Sequence, residues 1–118
     1  MSGGVETVVG VSHDPLFGPV VMVGLGGVFV EVLRDVSFRV PPFDRDEAAR
    51  MVRELNGYAL LEGTRGQKPA DVDALVDVIM NLQRLAMDLA GDMRELDINP
   101  LIVRPRGAVA LDALVVRT

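Results

Sequence analysis

The sequence predicts an α+β domain, and three observations carry that prediction. The N-terminal third holds short, valine-rich apolar runs broken by glycine and proline. Two stretches in the middle space their apolar residues at the helical period. The C-terminal part reads as strand, turn and strand. Strands first, helices next and a terminal hairpin give a mainly antiparallel sheet with two main helices.

Val5-Glu6-Thr7-Val8-Val9-Gly10-Val11 has β-branched bias and forms the first expected strand, which Ser12-His13-Asp14-Pro15 is expected to break. Val20–Val23 is the second. Gly24-Leu25-Gly26-Gly27 turns into a third over Val28–Leu33, and Val36–Val40 alternates as a fourth, closed by Pro41-Pro42. Asp44 is the expected N-cap of the first helix, with Glu47 three residues on in the pattern of a capping box. Ala48, Met51, Val52 and Leu55 make its buried stripe, and Asn56-Gly57 ends it. Tyr58–Leu61 is too short for a long element. Pro69 opens the longest helix, with Asp71 and Asp73 in a first turn where the helix dipole favours anions. Val72, Leu75, Val76, Ile79, Leu82, Ala86 and Leu89 hold helical spacing to about Gly91.

The hairpin concentrates the chemistry. In Glu95-Leu96-Asp97-Ile98-Asn99-Pro100-Leu101, alternation puts Glu95, Asp97 and Asn99 on one face and Leu96 and Ile98 on the other. The turn is Arg104-Pro105-Arg106-Gly107, and a second apolar run, Ala108–Val116, follows it. If Pro105 and Arg106 are the loop, paired residue numbers sum to about 211, which sets Asp112 opposite Asn99 to within one residue. Asp112 interrupts an otherwise aliphatic strand, where a bare carboxylate is costly to bury. Two carboxylates and an amide oxygen, with no Cys or His among them, suit a hard cation such as Mg²⁺. A solvated strand face, or hydrogen bonds that pin the hairpin, are the alternatives.

Composition narrows the function classes. The 118 residues make one domain by length, 49% hydrophobic and 25% charged. The net charge is −5 and no basic cluster tracks a phosphate backbone, which argues against nucleic acid as a partner. The absence of cysteine excludes disulfides and thiolate chemistry, and fits a cytoplasmic chain. The longest apolar run, Val20–Val30, is interrupted by Gly24, Gly26 and Gly27 and falls short of a membrane span. The N-terminus lacks the basic region of a signal peptide.

Other candidates are weaker. Gly24-Leu25-Gly26-Gly27 joins two strands, unlike a Rossmann fingerprint or a P-loop, both of which lead into a helix. It is a strand connection, or a place where backbone approaches a nucleotide. Glu31 in its apolar strand is suited to a cation or a ribose, or is an edge-strand carboxylate. Arg39 and Arg65, flanked by turn formers, suit phosphate oxygens or ordinary ion pairs. His13, the only histidine, has no acid–base partner in its vicinity, and no catalytic residue is assigned. Met51, Met80 and Met87 read as helix packing.

The combination Asp14-Pro15-Leu16-Phe17-Gly18-Pro19-Val20-Val21, Gly24-Leu25-Gly26-Gly27-Val28-Phe29-Val30-Glu31 and Glu95–Leu101 closely resembles the ATP-grasp region of NDP-forming acyl-CoA synthetases, relatives of the succinyl-CoA synthetase β subunit. Leu61-Glu62-Gly63-Thr64-Arg65-Gly66 and the long helix also fit, so the resemblance runs in order along nearly the whole chain. It implies a fold in which two α+β lobes clamp ATP, with residues 1–118 as the second lobe. It also implies that Asn99 and Asp112 bind the metal, that Asp97 supports it, and that Glu31 occupies a recurrent acidic position. The implied reaction turns carboxylate, CoA and ATP into acyl-CoA, ADP and phosphate through an acyl phosphate and a phosphohistidine. That phosphohistidine comes from another region and does not map onto His13.

On this resemblance the first lobe, its phosphate-contacting lysine, the adenine hinge and the CoA-binding and ligase domains would be partners in cis or in trans. Lys68, the only lysine, precedes a helix in a loop and is a poor substitute. The chain alone is therefore expected to bind Mg-ATP weakly and to turn over nothing, and its exposed face to favour a homo-oligomer. A rival of another class is the non-catalytic, acyl-CoA synthetase-like regulatory region of a protein lysine acetyltransferase. A third is an interaction domain that kept the fold and lost the chemistry.

Overall fold

The computed structural model describes residues 4–26, 35–63, 66, 68–89 and 91–117. The strand expected over Val28–Leu33, Glu31 within it and Arg65 lie outside these residues. The elements are β1 (Val5–Asp14), β2 (Gly18–Leu25), β3 (Val36–Arg39), α1 (Arg45–Arg53), the short α2 (Ala59–Glu62), α3 (Val72–Asp88), β4 (Met93–Val103), β5 (Ala108–Ala110) and β6 (Ala113–Arg117). They form one six-stranded sheet in the order β3-β2-β1-β4-β5, with β6 also on β4, and all the pairings are antiparallel. This is an α+β lobe. No helix among the described residues is long and apolar enough to cross a membrane.

The expected break after Val11 does not occur. Ser12, His13 and Asp14 pair with Val20, Pro19 and Gly18, so β1 and β2 close over only Pro15-Leu16-Phe17. The Asp14 carboxylate makes so tight a loop possible by accepting from the Leu16 and Phe17 amides at 2.7 and 3.1 Å. Gly18 at φ +77° completes the reversal. His13 Nδ1 lies 3.2 Å from the Arg94 carbonyl oxygen across the sheet.

The helices start at their caps. Asp44 accepts from the Glu47 amide at 2.8 Å. The other half of the capping box is absent, because the Glu47 carboxylate turns instead to Arg39 and Arg50. α3 begins at Val72 with Asp71 as its cap, three residues later than an opening at Pro69 implies. Asp71 accepts from the Ala74 amide at 3.0 Å and from the Gly107 amide at 2.7 Å, and its own amide donates to the Arg104 carbonyl. One aspartate thereby caps the long helix and fastens it to the hairpin turn.

Both long helices lie on one face of the sheet. Ala48, Met51 and Val52 of α1 and Leu75, Val76, Ile79, Leu82 and Ala86 of α3 pack on Val9, Val11, Val21, Val23, Leu96, Leu101 and Val103. Each fully buried aliphatic side chain here contributes about 1.5–3 kcal/mol. Behind α1, the buried Asp35 carboxylate accepts from the Asn56 and Gly57 amides, both at 2.7 Å. Gly57 suits this place, since a Cβ would stand 2.2 Å from Leu25 Cδ1 and the buried leucine would have to shift.

The hairpin register is the one expected from a two-residue loop. Leu101 faces Ala110, Ile98 faces Ala113, and the Asn99 amide donates to the Asp112 carbonyl at 3.1 Å. Arg104 donates to the Gly107 carbonyl across Pro105-Arg106, with Gly107 at φ +84°.

Two predictions test this packing. Gly57→Ala should cost roughly 1–3 kcal/mol by overpacking against a buried leucine, read as a lower urea midpoint at unchanged m-value. The two backbone amides, Gly107 first, lower the Asp71 carboxyl below its usual range. Its stabilisation is present above the unfolded pKa of about 3.9 and is lost as pH falls through the depressed folded value. Thermal melts of Asp71→Asn should therefore show a lower midpoint at neutral pH and a shallower fall on acidification than the parent.

Candidate functional site

The face of the sheet away from the helices carries the acidic residues. Phe38, Met22, Gly10, Asp97 and Leu114 are successive cross-strand partners on β3, β2, β1, β4 and β6. They line a cavity of about 310 Å³ with Ser12 and Glu95 at its rim. Gly10 provides its floor. A Cβ there would lie 2.8 Å from the Leu96 carbonyl oxygen and 3.4 Å from Asp97 Oδ1, so only glycine allows the two strands this approach.

Asp97 is half-buried in this row, and the lost hydration raises its carboxyl above the usual range, with the charge of Glu95 adding to the effect. Two residues along β4 from Asp97, and two back along the chain from Leu114, just before β6, the register reaches Asn99 and Asp112. Both are exposed. Asp112 Oδ1 accepts from the Ala113 amide at 2.9 Å, which fixes the carboxylate locally. The fold thus brings the Asp97, Asn99 and Asp112 positions together on adjoining strands. Among the described residues no group of three or more His, Cys, Asp or Glu is placed to hold a metal. Two carboxylates and an amide are the residue types that would suit a cation keeping water and phosphate oxygens in its remaining positions.

Arg39 does not join this group. Its partner in β2 is Val21, which packs in the core, so Arg39 lies on the helix side of the sheet. Its Nε donates to Glu47 at 2.7 Å, while Nη1 and Nη2 grip both oxygens of Glu54 at 3.0 and 2.5 Å. That bidentate contact lowers the Glu54 carboxyl below its usual range. Of the two readings the sequence leaves open for Arg39, phosphate oxygens or ion pairs, the structure shows ion pairs to Glu47 and Glu54. Met22, Phe38, Leu114 and Gly10 are site residues that the sequence did not single out. The one available signal was Gly10, a glycine inside a strand.

The chain belongs to the ATP-grasp domain family, which it matches over residues 1–116. It is 48% identical over 110 residues to the β subunit of ADP-forming acetate–CoA ligase I of Pyrococcus furiosus, covering 93% of this chain and 47% of that one. It is 47% identical over 112 residues to the ADP-forming acetate–CoA ligase I of Archaeoglobus fulgidus, covering 95% of this chain and 16% of that one. Among solved structures, it superposes with a TM-score of 0.93 and 42% identity on an acetyl-coenzyme A synthetase of Ca. Korarchaeum cryptofilum. That structure is in complex with coenzyme A and Mg-AMPPCP, its phosphohistidine segment pointing towards the nucleotide binding site, and the match covers 100% of this chain and 55% of that one. The chain therefore spans about half the length of the β subunit, and a far smaller share of the single-chain ligase.

The elevated Asp97 carboxyl gives a further prediction. A raised folded pKa means that ionised Asp97 weakens the fold once pH exceeds the unfolded value. Asp97→Asn should raise the thermal midpoint at pH 7, with the gain shrinking as pH is lowered towards 4.

Proposed function

We propose that the chain is the Mg-nucleotide lobe of an ADP-forming acyl-CoA synthetase, whose complete reaction joins a carboxylate to CoA at the expense of ATP. The observation that carries the reading is the register that sets Asn99 opposite Asp112, two residues from Asp97, in a chain of this family. Asp97, Asn99 and Asp112 would hold Mg²⁺ through oxygen donors. A bound magnesium supplies charge neutralisation at the nucleotide's phosphate oxygens. The residues of this chain orient the ligand along the open face: Gly10 lets it approach the backbone, and Phe38, Met22 and Leu114 exclude water beside the carboxylate. Glu31, at a recurrent acidic position of the family resemblance, and Arg65, among turn formers, complete the proposed nucleotide contacts.

Under this reading the first lobe, the CoA-binding and ligase domains and the phosphohistidine come from the remainder of the assembly. Two features of the relatives support it: one is a subunit, and another is a single chain many times longer than this one. The lysine acetyltransferase reading draws no support from these relatives.

Calorimetric titration with magnesium and ADP tests the assignment. Asp112→Ala should weaken metal-dependent nucleotide binding at least about tenfold, with little change when magnesium is chelated. Unchanged affinity in magnesium would refute the site. The chain by itself should bind weakly and hydrolyse no ATP.

A further inference from the structure

We infer that Arg39 controls nucleotide binding from the far side of the sheet, as a positioning residue that holds Phe38 at the wall of the cavity. This rests on the reading that the nucleotide lies on the open face. β3 is four residues long, stands at the end of the sheet order and pairs only with β2 among the described residues. A short edge strand has little pairing of its own to resist fraying. Its attachment to the helix layer is polar. Arg39 donates to Glu47 and Glu54 on and just beyond α1, and Ser37 donates to Glu54 at 2.8 Å.

The same guanidinium reaches back to its neighbour, with Nη1 donating to the Phe38 carbonyl at 2.8 Å. Phe38 points the other way, 54% exposed, into the cavity beside Met22 and Gly10. Side chains alternate along a strand, so the residue after Phe38 is the one that faces α1 and can clamp it there. The Arg39, Arg50, Glu47 and Glu54 cluster is neutral in sum, with the guanidinium of Arg39 held by both carboxylates. Arg39 accordingly acts through main-chain placement of Phe38, with no contact to phosphate.

NMR-detected titration of the chain with Mg-ADP, at a temperature where circular dichroism shows every variant folded, separates the possibilities. Arg39→Gln and Glu54→Gln should each weaken affinity by roughly five- to tenfold, each shift the Phe38 amide resonance before nucleotide is added, and combine with less than additive loss. Phe38→Ala should match them. If Arg39→Gln weakens binding while Glu54→Gln leaves it unchanged or tightens it, Arg39 is a direct phosphate ligand and the inference falls. If neither has an effect but Asp112→Ala does, the inference falls and the open-face site stands. If Asp112→Ala is also without effect, the nucleotide lies elsewhere and both fall.

Discussion

The strand that must satisfy two edges at once, β4, sets the terms for everything else. It pairs with β1 along one side and with β5 and β6 along the other over its eleven residues. Against β1 the register slips by one, since Thr7 faces Leu101 and Val9 faces Ile98, which leaves Asn99-Pro100 opposite Val8 alone. This β-bulge changes the phase of the strand. Before it, Leu96 and Ile98 face the helices; after it, Leu101 and Val103 do. Strict alternation would have turned Leu101 and Val103 to the open face, removing two large side chains from beneath α3. The buried Thr7 hydroxyl donates to the Leu101 carbonyl at 2.8 Å, supplying a partner where the ladder is disturbed. The bulge falls at Asn99-Pro100, so the candidate metal position lies where the phase of the core changes.

The two faces of the sheet obey opposite rules. On the helix side almost every position is aliphatic and buried. On the open side, Phe38 and Leu114 are 54% and 63% exposed and flank a carboxylate whose ionisation the fold resists. Neither feature benefits an isolated lobe. Exposed apolar side chains around a half-desolvated acid suit a surface that is completed by a ligand or by neighbouring protein. The share of the related β subunit that this chain spans agrees with such completion.

What could be read from the sequence was local. Asp44 as a cap, the α3 stripe from Leu75 to Ala86 and the two-residue turn at Pro105-Arg106 each depend on residues within a few positions of one another. The turn then delivered a distant fact, the opposition of Asn99 and Asp112, because a tight loop fixes every pair beyond it. Three local readings turn on contacts that the neighbouring sequence does not show. Ser12-His13-Asp14 carry turn-forming residues but extend β1 because Gly18-Pro19-Val20 lies alongside. Glu47 leaves its capping box because Arg39 offers a charged partner. Arg39 looks free until the chain returns with Glu54. In each case a contact between separate elements overrides a local preference. Met22, Phe38 and Leu114 were invisible as site residues for the same reason: only the sheet order sets them in one row.

The two faces communicate through main chain, and the clamps that fix that main chain stand at separate places on the sheet. Asp71 joins the start of α3 to the turn beyond Val103, by bonds from its carboxylate and its amide to Gly107 and Arg104. Arg39 joins β3 to α1 through Glu47 and Glu54. Between them lies a row of backbone whose open-face residues run from Phe38 to Leu114. Exposed ion pairs and caps of this sort contribute only on the order of 1 kcal/mol each to global stability. Their importance is in geometry. Among the described residues, a sheet edge four residues long and a hairpin kinked at Leu111-Asp112 have few other contacts that fix their position relative to the helix layer. Binding groups must keep their spacing to within a fraction of an ångström to be effective, so the polar contacts on the covered face are part of what makes the open face usable.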